Sequence, residues 1–336
     1  MRFRRKLPVL FGFLIFVATV AAVVFLRKHA PPEPARLLPT ADGFVYVDLK
    51  WMRHTDMASH LPAVAHDPEY EQFIQGTGFQ FERDLQEAAL AIHYASAQTG
   101  GETRFSEVFV ARIDGDRLRA YLKKLASSVD TYRAIDVYNI PLENRVLRVA
   151  ILGSDTVAAS NLNDPLVIRG IIDRSRKVAS PFGGPALLRQ SYKHVPLTSL
   201  AWAIFKLNSA NPEPSALVLP FSGPAIPVAS VVVSVRYVPV LGEVHLRAEA
   251  FTRNDQEAEQ LTSEVNTFLA IFHSAEVSVS GQTPDPDIRK AFDSLKVEQH
   301  KDRTVLTATL PAGLLRKMVA EAPAQLAPRG PAEPVR

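Results

Sequence analysis

Ser106 to Leu125, SEVFVARIDGDRLRAYLKKL, sets two periodicities back to back and decides the fold class. Ser106 to Ile113 is rich in β-branched and aromatic residues and reads as a strand. Asp114 then offers an N-cap oxygen, and Leu118, Tyr121, Leu122 and Leu125 recur at the spacing of one helix face, which predicts an amphipathic helix to about Ser127. Three more strands are expected downstream, Tyr132 to Tyr138, Arg145 to Leu152 and Thr156 to Ser160, joined by tight turns at Glu143-Asn144 and Gly153-Ser154-Asp155. Asn163 or Asp164, with Pro165 behind, starts a helix that ends near Lys177. Strands and helices mixed in this order belong to the α+β class, with antiparallel sheets covered on one face by helices.

Toward the N-terminus, Phe44 to Leu49 (FVYVDL) and Glu87 to Tyr94 are further strands. Asp67-Pro68-Glu69 supplies a cap, a proline at the first helical position and an early acid, predicting a helix from Pro68 to about Gln75 that stops at Gly76. Beyond Ser180 to Pro185 (SPFGGP) the chain is expected to run through a helix over Ala186 to Lys193 and a strand over Leu200 to Leu207. A proline-rich excursion follows at Asn211 to Pro227, then strands at Ala229 to Val238 and Glu243 to Phe251. Asn254 or Asp255 caps a helix to about Phe272, and Asp285-Pro286 caps a short one. A hairpin of Leu295 to Gln299 with Thr304 to Leu310 precedes a closing helix, Pro311 to Ala322. The order of elements from Ser106 to Lys177 partly recurs from Val244 to Val319, which points to two tandem related modules. The expected domains are therefore a basic end and anchor over 1–28, a proline-rich linker over 29–39, modules over 40–180 and 181–322, and a disordered tail over 323–336.

Leu7 to Leu26 (LPVLFGFLIFVATVAAVVFL) has no charged side chain and, at ~1.5 Å per residue, matches the ~30 Å hydrocarbon thickness of a bilayer. Arg2, Arg4, Arg5 and Lys6 precede it and Arg27 and Lys28 follow, so the positive-inside rule leaves the N-terminus cytoplasmic and the bulk of the chain periplasmic. The run is longer than the apolar region of a cleaved signal peptide, so it reads as a signal anchor in the inner membrane, with the lipid bilayer as the chain's first partner. Residues 1 to 28 also hold six of the 38 Lys and Arg and none of the 35 Asp and Glu. The remainder carries net −3, so the formal +3 of the whole chain is no nucleic-acid footprint. The absence of cysteine excludes disulfides, thiolate nucleophiles and Cys-ligated metals.

Leu38 to Leu49, LPTADGFVYVDL, resembles the opening of an uncharacterised family of membrane-anchored bacterial envelope proteins, a domain of unknown function. Val146 to Asp173 and Phe292 to Val319, the latter containing LPAGLL, are similar to its middle and closing units. The resemblance implies topology and location over residues 38 to 322 and brings no catalytic residues with it.

No catalytic, cofactor-binding or metal-ligating set emerges from the spacing of chemically active residues. His54, His60 and His66, near Asp56 and Asp67, recur every six residues, which on a helix leaves neighbours ~120° apart instead of on one ligating face. Ser191-Tyr192-Lys193-His194 places a hydroxyl, phenol, amine and imidazole in adjacency, and adjacent helical residues diverge; cationic residues facing a helix C-terminus explain it. Gly183-Gly184 lacks a phosphate-binding lysine, and Asp285 with Asp287 reads as capping. Trp51, Trp202 and Val231 to Val235 (VVVSV) read as core first and as the wall of an apolar cavity second. The functional expectation is a noncatalytic binding or scaffold module of the bacterial envelope, with a protein, peptide or lipid partner. The alternatives are a hydrolase whose carboxylates meet only on folding, or a carrier of lipid or another hydrophobic ligand.

Overall fold

Gly43–Asp48 (β1) lies at the middle of the molecule, hydrogen-bonded antiparallel to Leu85–His93 (β2) on one side and to Ala201–Lys206 (β8) on the other. The computed structural model describes residues 30–50, 66–96, 99, 101–176, 183–207, 228–238, 242–279 (backbone alone from 272), 286–311 and 313–314. The expected anchor, His54, His60, Trp51, Asp285, the excursion at 211–227, the closing helix beyond 314 and the tail lie outside these residues. Among the described residues no helix is long and apolar enough to cross a membrane.

From β1 the chain continues through β2, Arg104–Ala111 (β3), Ser128–Tyr132 (β4), Ile135–Leu142 (β5), Arg145–Ile151 (β6) and Thr156–Ser160 (β7). After β8 come Ser230–Val238 (β9), Glu243–Phe251 (β10), Lys296–His300 (β11) and Arg303–Pro311 (β12). The twelve strands of the described residues form one sheet, in the order β11-β12-β10-β9-β8-β1-β2-β3-β7-β6-β5-β4. The strand order has a regular pattern on either side of the middle. Each half starts with a three-strand meander, β1-β2-β3 or β8-β9-β10, sends out helix, and returns with its last strand, β7 or β12, beside the third. The first strands of the two halves pair with each other, so strands on either side of Ser180 to Pro185 share one sheet in place of separate ones.

Helices cover both faces, where the sequence pointed to one. The reason is that the central strands are apolar at both parities: Phe44 and Tyr46 are buried on one side, and Val45 and Val47 are half-buried on the other. On the first face Glu33–Leu37 (α1), Leu166–Arg176 (α5) and Ala186–Ser191 (α6) bury Leu37, Ile168, Ile171, Ile172 and Leu188 against Phe44, Val108 and Ile204. A 3-10 turn, Tyr192–His194, continues α6, so the helix expected to Lys193 tightens in its last turn. On the second face Pro68–Thr77 (α2), Phe81–Asp84 (α3) and Gly115–Leu125 (α4) close over Tyr138, Val149 and Val157. Asp255–Val279 (α7) lies along β11 and β12, where Thr304 Oγ1 donates to the Ala258 carbonyl at 3.0 Å. Pro286–Asp293 (α8) leads into β11.

Local chemistry places these ends. Asp67 accepts from Tyr70 N at 2.7 Å and Asp114 from Arg117 N at 3.1 Å, as their cap positions require. The helix α2 runs past Gly76 and stops at Gly78, which takes the left-handed conformation (φ 72°). Tyr132 to Tyr138 is not one strand: Arg133 (φ 50°) and Ala134 (φ 59°) reverse the chain between β4 and β5. Such a turn usually advertises itself through Asn-Gly, and Arg-Ala conceals it.

Candidate functional site

Register across the second face defines the site. A single row of cross-strand partners runs over all twelve strands from Val129 on β4 to Val297 on β11. Glu107 on β3 is its one non-hydrophobic member. Leu90, Val45, Ala203, Val233, Ala248 and Leu306 continue the row on one side of it, and Ala159, Val149 and Tyr138 on the other. The positions diagonal to Glu107 are apolar too, Ala88 and Ile92 on β2 and Val157 on β7, except for Asn161, whose Oδ1 already accepts from Phe105 N at 2.7 Å. Among the described residues the Glu107 carboxyl has no hydrogen bond or ion pair. It keeps some contact with solvent, yet its apolar surroundings desolvate it and raise its pKa above the ordinary carboxyl value.

Burial along the row is uneven. Tyr138 and Val149 are closed beneath α4, whereas from Ala159 through Glu107, Leu90, Val45 and Ala203 to Val233 each residue retains partial exposure. Glu107 thus stands where the closed core gives way to a half-open apolar strip. A carboxyl in that position can hold its proton and donate it in a hydrogen bond, or, ionised, receive a cation; either way it is a single polar group on an apolar wall.

A second polar cluster sits on the first face of the C-terminal half. The Glu249 carboxylate, 4% exposed, accepts from Arg247 Nε at 2.8 Å through Oε1, while Oε2 lies 3.3 Å from Arg303 Nη1 and 3.5 Å from His194 Nδ1. Arg303 Nη1 donates to His194 Nδ1 at 2.9 Å, which leaves the imidazole proton on Nε2. Burial, with Arg303 and Lys193 adding to it, lowers the His194 pKa against the opposing pull of Glu249. In the register, Arg247 is followed by Ser234, Trp202 and Tyr46. Trp202 stacks on Tyr46 at 5.5 Å and meets Tyr192 edge-on at 5.4 Å, and among the described residues its buried Nε1 has no hydrogen-bond partner. Burial pushes the Tyr192 phenol up to about 12 and, with Glu87 beside it, keeps that of Tyr46 protonated.

The residues singled out from the sequence fall as follows. His66 precedes α2 and contacts Glu71 (2.8 Å) and Glu82 (3.5 Å), and Asp67 is spent as the cap. No group of three metal-ligating side chains occurs among the described residues. Ser191 is buried and Lys193 exposed, while His194 is drawn into the Glu249 cluster, so the four adjacent residues do not converge. Gly183 and Gly184 lie before α6, with Gly184 (φ 105°) packed against Arg36. Asp287 lies in the first turn of α8. Trp202 and Val232 belong to the core, whereas Val233 and Val235 face the half-open strip. Glu107, Arg247, Glu249 and Arg303 were not singled out. For Glu107 a signal existed: a glutamate on a strand that is apolar at both parities must face an apolar surface.

No family model and no curated protein matches the chain. Solved structures of TP0453 resemble it in outline. Crystal form III covers 86% of this chain and 99% of its own at 10% identity with a TM-score of 0.47, and form I covers 87% and 98% at 10% identity with a TM-score of 0.43. A likeness at this level carries no function across.

Proposed function

We propose that the chain is a noncatalytic binding module of the bacterial envelope, anchored in the inner membrane through Leu7 to Leu26 with its bulk periplasmic. Its ligand is an amphiphile. The apolar part lies along the half-open strip of β2, β1, β8 and β9, and the polar group meets Glu107. The observation that supports this reading is the row of apolar partners interrupted once, by an unpaired carboxyl at the border of the open region. A buried-edge carboxyl without a partner costs stability, and a ligand that satisfies it recovers that cost on binding. The hydrolase reading asks for a second carboxyl beside the first, and the sheet positions around Glu107 supply none.

Native mass spectrometry of the full-length chain after exhaustive detergent exchange tests the proposal. Lipid or another amphiphile is expected to remain on the wild-type chain and on Glu107→Gln, which keeps a donor, and to be lost from Glu107→Leu. Lipid around the anchor is common to all three chains, so the difference reports the strip. Equal retention by all three, or none by any, overturns the reading.

A further inference from the structure

The two helix layers carry opposite charge. On the first face α1, α5, α6 and the 3-10 turn hold six basic residues, Arg36, Arg169, Arg174, Arg176, Arg189 and Lys193, against Glu33 and Asp173, net +4. On the second face α2, α3, α4 and α7 as far as Ile271 hold five basic residues against nine acidic ones, net −4. The densest part of the basic layer lies where α5 meets the β4–β5 turn. Arg169, Asp173 and Arg176 follow one another at i, i+4 and i+7 along α5. Arg133 reaches Asp173 at 2.8 Å, Arg176 Nη2 donates to the Arg133 carbonyl at 3.0 Å, and Arg133 and Arg169 both lie over the Tyr132 ring. Asp173 is the carboxylate inside this group. Asp130, an exposed acid on β4, accepts from Asn139 Nδ2 at 2.9 Å and keeps its charge. Arg133 is 54% exposed and Arg176 is exposed, so their outer faces remain open.

Two further observations orient the layer. The most exposed large hydrophobic side chains among the described residues are Leu166 at 63%, at the start of α5 in this layer, and Leu197 at 55%, three residues after the 3-10 turn. Apolar side chains standing out among basic ones are the composition of a surface that meets lipid headgroups. The tether is also short. Six residues separate Leu26 from Glu33, the first residue of α1, and extended chain spans at most about 25 Å over that interval. Arg174 Nε donates to the carbonyl of Leu37 at 2.7 Å, so α5 is fastened to the end of α1 and travels with it.

We infer that this basic layer is a docking surface for anionic lipid headgroups of the same bilayer that holds the anchor. The inference rests on the anchor reading above. Docking through Arg133, Arg169 and Arg176 turns the acidic second face, with its half-open strip, away from the headgroups. Each basic side chain at an anionic surface contributes about fivefold to the docked population, and the effect decays with added salt.

The absence of native cysteine makes the test direct. Full-length chain carrying Leu166→Cys, or Ala120→Cys on the opposite layer, is labelled with a fluorophore. It is placed in nanodiscs of phosphatidylcholine, with or without phosphatidylglycerol, that contain a headgroup spin label as quencher. Position 166 is expected to be quenched in the anionic discs and not position 120, and quenching should fall with salt. Arg133→Glu/Arg169→Glu/Arg176→Glu should lower the docked-to-undocked ratio more than a hundredfold, since losing the three positive charges alone accounts for about that much. The control Lys123→Glu/Lys124→Glu on α4, which reverses two charges on the opposite layer, should leave it unchanged. If circular dichroism shows the triple variant unfolded, Arg176→Glu alone should still cost about fivefold or more. Equal quenching at 166 and 120, or quenching at 166 that ignores phosphatidylglycerol, overturns the inference while leaving the anchor intact. A chain that does not enter the discs overturns the anchor and the tether argument together.

Discussion

Glu107→Leu is expected to stabilise this protein, although substitutions inside a sheet ordinarily destabilise it. Full burial of a leucine side chain contributes about 1.5–3 kcal/mol, and the partial exposure of position 107 halves this to about 1 kcal/mol. Leu90, Ala159, Phe105 and Phe109 already line the site, so the new side chain enters matching surroundings. To this is added the relief of a desolvated carboxyl, and that part depends on pH in a determined direction. The folded chain holds the Glu107 proton more tightly than the unfolded chain, whose carboxyl titrates near the ordinary value of 4.5. Wild-type stability is therefore lost as pH rises from about there through the raised folded value. The advantage of the leucine variant should be smallest at pH 4 and largest at pH 8. Urea unfolding of both chains across that range measures it, with a melting temperature about 2–4 °C higher for each kcal/mol gained. A variant less stable than wild type at pH 8, or an advantage that does not grow with pH, would refute the argument. Glu107 would then have a partner that offsets its desolvation. The same variant is the one expected to lose its amphiphile, so stability and binding should move in opposite directions.

Three other outcomes follow from the geometry. Glu249→Gln removes the charge that Arg247 and Arg303 share; because both guanidinium groups keep roughly a third of their exposure, the cost should be about 2 kcal/mol by urea unfolding, below that of a wholly buried pair. Ala134→Gly relieves a left-handed non-glycine residue in the β4–β5 turn and should raise stability by about 1 kcal/mol, whereas Ala134→Val should lower it. His93 and His194 both have pKa values lowered chiefly by burial, so the unfolded chain takes up their protons first and stability should decline as pH falls below about 6.5. His194→Gln should flatten part of that decline in a pH series of melting curves, and an unchanged slope would show that His194 does not couple to folding.

Much of the fold was legible because its signals are local. Asp114 with the Leu118, Tyr121, Leu122 and Leu125 stripe locates α4 to within two residues at its end, and Asp67-Pro68 locates the start of α2. The single sheet was not legible. It depends on Val45 finding Ala203, far along the chain, and no spacing rule encodes a pairing at that separation. The β4–β5 turn was hidden for a different reason: Arg133 and Ala134 adopt a conformation their side chains disfavour, held by the ladder on either side and by Asp173. The helix α7 runs on to Val279, where the apolar stripe led to an end near Phe272, because nothing between His273 and Val279 breaks a helix. The Glu249 cluster joins three separated segments; only Arg247 and Glu249 are near in sequence, and His194 and Arg303 reach them through the fold alone.

The position of β1 also governs how the molecule bears a load. A tether through Leu7 to Leu26 would enter the fold by way of α1 and then β1, which is flanked by β2 and β8, with β4 and β11 at the distant edges. Tension on such a tether would therefore be applied to an inner strand. To extract it, force must shear two ladders at once, since the bonds from Gly43 to Asp48 on one side and from Gly43 to Val47 on the other lie across the direction of pull. A strand at either edge would peel away one hydrogen bond at a time.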